Sequence, residues 1–357
     1  MSKIRKFFKM GIGEMCYRIS EIFYKTQSKK RLFAKRYIFD NRQTESENLL
    51  IIVAGFQPYY WDQVFARVNS SRETFGESLD ICVCVPEGID GSREDLRQRC
   101  EQLGWSFLYI HLDLLSQVQN TAIQLHPHAQ WIYKIDEDII MSQDYFKRLK
   151  QSYINADSKS YCPIGFMGPL LNINAACAPY FLKSVDAYDE YKANYGEYRI
   201  KFQKEDDLIH KSRELAEFIW GKSVPFDDVA NRIYTKNKGT FAVSPVRYSI
   251  GAILFSRDYW KQIGGFKVGI LGQMGLEEEQ ICGFSLVNFK PIFIALDVFA
   301  GHLGFYTQKE TCRRFFEKHS DEIFLKLNNF EENDNVLSEN QLDMRRGRLS
   351  ENSDITI

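Results

Sequence analysis

The segment Trp131-Ile132-Tyr133-Lys134-Ile135-Asp136-Glu137-Asp138-Ile139-Ile140-Met141 opens with five residues rich in β-branched and aromatic side chains and runs straight into three carboxylates. That is the pattern of an interior strand ending in an acidic cluster. In open α/β sheets, ligands bind just outside the carboxyl ends of the strands. Two aspartates one residue apart at such an end, Asp136 and Asp138, can aim hard oxygen ligands at one divalent cation, Mg²⁺ or Mn²⁺, shared with substrate phosphates. The same triplet also reads as an ordinary acidic turn, and a D-x-D element alone does not choose between the two.

The flanking sequence supports a layered α/β domain. Leu49 to Val53 is a continuous apolar run ending in the turn Ala54-Gly55-Phe56-Gln57-Pro58, and Trp61 to Val68 reads as a helix. Asp80 to Val85 is a second strand closed by Pro86-Glu87-Gly88. Ser92 to Leu103 is helical, with Ser92 as N-cap. Trp105 to Ile110 is a strand, Leu115 to Leu125 a helix, and Trp131 to Ile135 the fourth strand. This alternation predicts βαβ units and a mostly parallel sheet flanked by helices. From Ser142 to Val246 the pattern loosens into a long mixed insertion, where Asp206 to Trp220 is the best helical candidate. Order returns with a strand at Tyr248 to Phe255, a helix at Arg257 to Ile263, a Gly264-Gly265-Phe266 turn and a last strand at Pro291 to Val298.

With 44% hydrophobic and 14% aromatic residues the chain can bury a large core, and its formal charge of -1 excludes nucleic-acid binding driven by overall cation excess. Eight cysteines lack C-x-x-C pairing, so reduced, mostly buried thiols in a cytoplasmic protein are expected. Met1 to about Asp40 differs from the rest. Its lysines and arginines far outnumber its acids, while Ile4, Phe7, Phe8, Met15, Ile19, Ile22 and Phe23 recur at helical spacing. Such a segment lies on an anionic membrane surface, packs on its own domain, or packs on a second copy of the chain. A polar linker, Asn41 to Asn48, separates it from the domain. The polar stretch from Glu331 onward predicts a loose tail.

Two further features belong with the acidic strand end. Glu277, Glu278 and Glu279 head an apolar-periodic segment, which places them in a first helical turn, where the macrodipole favours carboxylates whatever their role. His302 follows the last strand. A strand-end acidic pair, a helix-head carboxylate and this histidine would supply metal ligands and a general base to one crevice.

From Leu49 to Phe305 the chain resembles nucleotide-sugar glycosyltransferases of the GT-A fold, particularly the inverting family 2 type. The resemblance rests on the first strand and turn, Gln119-Asn120-Thr121-Ala122-Ile123, Ile135-Asp136-Glu137-Asp138, Ile250-Gly251-Ala252-Ile253-Leu254-Phe255, Gly264-Gly265-Phe266 and Leu276-Glu277-Glu278-Glu279-Gln280-Ile281. It implies a catalytic domain over residues 49–330, with 142–246 on the acceptor side. It further implies Mn²⁺ or Mg²⁺ held by Asp136 and Asp138 and completed by His302, and Glu278 as catalytic base. Donor contacts would fall at Ala54, Gly55, Glu87, Asn120 and Asp136, and Gly251 and Glu277 would stand on the acceptor side. The implied partners are a nucleotide-diphosphate sugar and a hydroxyl acceptor on a glycan or glycolipid, met from the cytoplasmic face. The chain departs from the family pattern where the second strand ends in Pro86-Glu87-Gly88 instead of an aspartate, and where glutamate replaces aspartate at the base position. A sugar-nucleotide pyrophosphorylase would need a glycine-rich phosphate loop after the first strand, which Ala54-Gly55-Phe56-Gln57-Pro58 does not provide. A catalytically silent nucleotide-binding scaffold is the alternative from outside enzymology.

Overall fold

The computed structural model describes residues 12–87, 93–112, 114–199, 208–269, 276–304 and 306–325. The chain divides into two units, Met1–Phe324 and Leu325–Ile357. The expected polar tail lies outside the described residues, as do the expected N-cap Ser92 and the acidic pair Asp206-Asp207.

Ten strands form one sheet with helices packed against it: β1 Tyr37–Asp40, β2 Asn48–Val53, β3 Asp80–Val85, β4 Ser106–Ile110, β5 Trp131–Asp136, β6 Ile139–Met141, β7 Phe166–Leu171, β8 Phe241–Ser244, β9 Ala252–Ser256 and β10 Ile292–His302. Their spatial order is β1-β4-β3-β2-β5-β9-β7-β10-β6, with β8 paired to β10. Strands β2, β3 and β4 are buried along their whole length, which explains why they read as unbroken apolar runs. Each fully buried Leu, Ile or Val in them contributes about 1.5–3 kcal/mol relative to exposure. The parallel pairing expected from the βαβ alternation holds through β4-β3-β2-β5. Beyond β5 the sheet is mixed, because β9 runs antiparallel to both β5 and β7, and β10 runs parallel to β7 but antiparallel to β6 and β8.

Several boundaries differ from the sequence reading. Tyr37–Asp40, expected within the basic segment, is an edge strand paired to β4. Tyr248 and Ser249 are irregular, Ile250-Gly251 is a turn, and the strand there begins at Ala252. The helix expected over Asp206 to Trp220 is interrupted: Leu208–Lys211 ends, and Ser212 caps a new helix, Arg213–Gly221, by accepting the N–H of Leu215. The last strand does not stop at Val298 but continues to His302.

Candidate functional site

Asp136 closes β5, and Lys134 two residues earlier shares its face because strand side chains alternate. Lys134 is buried. Its ammonium donates to Oδ1 of Asp136 at 2.6 Å and to the carbonyl of Ile250 at 2.8 Å. The backbone N–H of Asp136 donates to the Gly251 carbonyl at 2.8 Å, so the Ile250-Gly251 turn is stitched to the strand end. The Asp136 side chain nevertheless keeps 39% of its surface open to solvent. Desolvation raises its carboxyl to about 6, against the lowering effect of the Lys134 ammonium.

Asp138 lies deeper. Its Oδ2 accepts a hydrogen bond from Nε2 of Gln57 at 2.7 Å and faces Nε2 of His302 at 3.4 Å. Its Oδ1 is buried and has no hydrogen-bond partner among the described residues. Burial alone would raise this carboxyl, but His302 and Gln57 hold it below its ordinary value. Burial alone would lower the His302 imidazole, and the neighbouring Asp138 carboxylate reverses that. The topology explains the meeting: β6 follows Asp138 directly and pairs with β10 so that Ile139 stands opposite His302. The backbone N–H of Leu303 donates to the Asp138 carbonyl at 2.9 Å, and that of His302 donates to Oδ1 of Asn172 at 2.9 Å.

Between the two aspartates, Glu137 points the other way and is buried. It accepts the N–H groups of Gly55 at 2.7 Å and Phe56 at 2.6 Å, and the indole N–H of Trp61 at 2.5 Å. The middle carboxylate therefore holds the turn after β2 in place, and the commitment of the Gly55 N–H to it leaves that group nothing to offer a donor. Burial raises this carboxyl to about 7 against the lowering effect of the three hydrogen bonds, each of which is worth roughly 1.5–3 kcal/mol to the ionised form.

The second centre is the helix Leu276–Val287. Glu278 pairs with the Arg247 guanidinium through Oε1 and accepts the N–H of Ile250 through Oε2 at 3.2 Å. Ile250 thus touches both centres, giving its carbonyl to Lys134 beside Asp136 and its N–H to Glu278. Glu279 is exposed and lies 3.7 Å from Arg247.

Three expected contacts are corrected. Asn120 is fully buried: its Oδ1 accepts from Trp260 Nε1 and the Phe266 N–H, and its Nδ2 donates to the Phe266 carbonyl, so both heteroatoms hold the turn after Arg257–Ile263. Its side chain is committed to that turn. Ala54 is fully buried, with its N–H bonded to the Cys84 carbonyl at 3.1 Å. Glu277, expected on the acceptor side, is buried and accepts from Ser116 Oγ at 3.0 Å, joining its helix to Leu115–Leu125. Glu87 is exposed beyond β3, and Gly251 stands beside Asp136, where an added Cβ would lie 3.5 Å from Oδ2. Sequence reasoning missed Lys134, Gln57, Arg247 and Asn172. For Lys134 a signal existed, since a lone cation inside an apolar strand two residues before a carboxylate shares that carboxylate's face.

Among the described residues, no group of three or more His, Cys, Asp and Glu side chains gathers as a ready-made metal cluster, and all eight cysteines are free thiols. The sequence matches no protein-family model and no curated protein. Among solved structures, the chain aligns with one described as "Crystal structure of GalNAc-T7 with UDP, GalNAc and Mn2+", at 10% identity and a TM-score of 0.40. The alignment covers 77% of this chain and 48% of that one, so this chain spans about half the length of that protein's chain.

Proposed function

We propose that this protein is an inverting glycosyltransferase of GT-A type. Its donor is a nucleotide-diphosphate sugar, expected to be a UDP-sugar, bound at Asp136 and Asp138, and its acceptor hydroxyl meets Glu278. The observation that carries this reading is the position of Ile250, whose N–H is accepted by Glu278 and whose carbonyl is held by Lys134 beside Asp136, so that one residue links the strand end to the helix head. Sugar transfer needs two such centres side by side, one for the departing diphosphate and one for the attacking hydroxyl.

The donor set fits a cation. Asp138 presents a buried oxygen without a partner among the described residues and Asp136 is still partly open; carboxylate oxygens suit Mn²⁺ or Mg²⁺, and an added imidazole nitrogen favours Mn²⁺ over Mg²⁺. Asp138 and Asp136 would hold it, with His302 beside them, and when bound it supplies positive charge against the leaving diphosphate. The Lys134 ammonium orients Asp136, Gln57 fixes the Asp138 rotamer, and Glu137 fixes the loop that walls the donor side. Glu278 accepts the proton of the acceptor hydroxyl. A carboxylate has about four lone-pair sites, so Arg247 and Ile250 position the group without exhausting it.

The pairing of Glu278 with Arg247 also favours a second reading, a nucleotide-binding protein in which that carboxylate is purely structural. Calorimetry of UDP with Mn²⁺ and turnover of labelled donor separate the two. Asp138→Ala is expected to lose Mn²⁺-dependent UDP binding under either reading, while the parent hydrolyses or transfers donor only if it is an enzyme. Unchanged UDP affinity in Asp138→Ala removes both.

A further inference from the structure

The basic segment separates into two parts. Residues from Arg31 onward are docked on the domain: the Arg31 carbonyl accepts from Gln117 Nε2 at 2.6 Å, the Ala34 N–H donates to Thr121 Oγ1 at 2.9 Å, and Phe33 packs on Trp260 with ring centroids 6.4 Å apart. The helix before them, Ile12–Lys30, does not cover its apolar face with the domain. Ile19, Ile22 and Phe23 are 53%, 60% and 59% exposed, and with Met15 they fall at i, i+4, i+7 and i+8 on one face. Packing on its own domain therefore holds for the part from Arg31 onward and not for the exposed stripe of this helix.

We infer that Ile12–Lys30 is an interfacial anchor that lies flat on an anionic lipid surface, with Ile19, Ile22 and Phe23 in the acyl boundary. Charge decides in favour of lipid. Residues 1–36 carry eleven Lys and Arg against two Glu, a formal +9 in a chain whose total is -1. By sequence the helix itself carries Arg18, Lys25, Lys29 and Lys30 against Glu14 and Glu21, a cation excess that would meet lipid phosphates while the stripe is buried. Pairing the same helix from two copies would instead bring two such charge sets together. Nineteen residues span about 28 Å at ~1.5 Å per residue. Among the described residues no helix is long and apolar enough to cross a membrane, so this helix lies on the bilayer rather than through it. The inference is independent of catalysis. It does, however, set the anchor next to the candidate site, since Gln117, which holds Arg31, adjoins Ser116, which holds Glu277.

Flotation of the full chain with vesicles tests this, comparing pure phosphatidylcholine with phosphatidylcholine containing phosphatidylglycerol. Binding is expected only to the anionic vesicles and is expected to weaken with salt, because screening acts over about 10 Å at 0.1 M. The triple variant Ile19→Ser, Ile22→Ser, Phe23→Ser removes exposed side chains and leaves the fold intact, and it should lower vesicle affinity about 100-fold or more. Lys29→Glu with Lys30→Glu takes four charges from the segment's +9 and should weaken binding to the anionic vesicles. Parental vesicle binding by the triple variant overturns the inference. So does a chain that ignores anionic vesicles but forms a dimer that the triple variant disperses, which would make a second copy the occupant.

Discussion

Oε2 of Glu278 accepts the backbone N–H of Ile250 at 3.2 Å, and this contact sets the helix head beside the strand end that carries Asp136. Glu278→Gln keeps an acceptor for that N–H but cannot take a proton from a hydroxyl. Turnover at saturating donor is expected to fall by roughly 10² to 10⁴ with near-parental UDP affinity. Glu279→Gln, on the exposed neighbour, is the control and should be close to parental. Equal rates in all three proteins would leave Glu278 with only its structural pairing to Arg247.

Asn120→Ala tests the reassignment of a residue expected to bind donor. It removes three hydrogen bonds that hold Trp260 and Phe266, and leaves their buried N–H and carbonyl groups unsatisfied. The expected cost is about 2–4 kcal/mol in urea denaturation. UDP affinity, measured where the variant is still folded, should stay within about twofold of the parent.

His126 gives a pH dependence unconnected with the site. Its Nδ1 bonds the Ala122 carbonyl at 2.7 Å and its Nε2 is buried without a hydrogen-bond partner among the described residues. Burial lowers its pKa from 6.5, with the Ala122 bond opposing. The unfolded chain therefore takes up a proton near 6.5 that the folded chain refuses. The stability this contributes is present above that value and is lost as pH falls through and below it. The urea midpoint should drop between about pH 8 and pH 5, and His126→Gln should flatten that part of the slope.

Gly301 precedes His302 in β10, and a Cβ there would meet Cη2 of Trp220 at 2.5 Å. Gly301→Ala forces the aromatic aside. It is expected to cost about 1–3 kcal/mol in thermal unfolding. Because the displaced strand also carries His302 toward Asp138, Mn²⁺-dependent UDP affinity should weaken with it, whereas Gly221→Ala, with open space at its Cβ, should leave that affinity alone.

The parts of the fold that were legible in the sequence are those where burial on both faces produces continuous apolar runs, as in β2 to β5. Strand β7 escaped because Gly168-Pro169 reads as a turn. In the fold, a Cβ at Gly168 would clash with Cζ and the hydroxyl oxygen of Tyr248, and the Pro169 carbonyl accepts the Tyr248 hydroxyl at 2.8 Å. The last strand runs on past Val298 through Gly301, where the close approach of Trp220 requires a glycine. Strand β6 has three residues, too few for a period to show. At the site, Asp136, Asp138, Glu278 and His302 stood out as chemistry-bearing residues. The inward turn of Glu137 and the burial of Glu277 did not, since one run of carboxylates looks alike whichever way each side chain faces.

The pairing of β6 with β10 also bears on how the protein is made. β5 and the parallel strands beside it come from the first part of the chain and can associate as they leave the ribosome. Asp138, by contrast, waits for a histidine from the far end of the domain, carried on the last strand to be synthesised. Nascent chains and products cut before Ile292 would carry both aspartates while lacking His302 and leaving β6 and β7 without their β10 partner. Such fragments would have strand edges open to aggregation, and synthesis of β10 both brings His302 to Asp138 and gives β6 and β7 their missing partner.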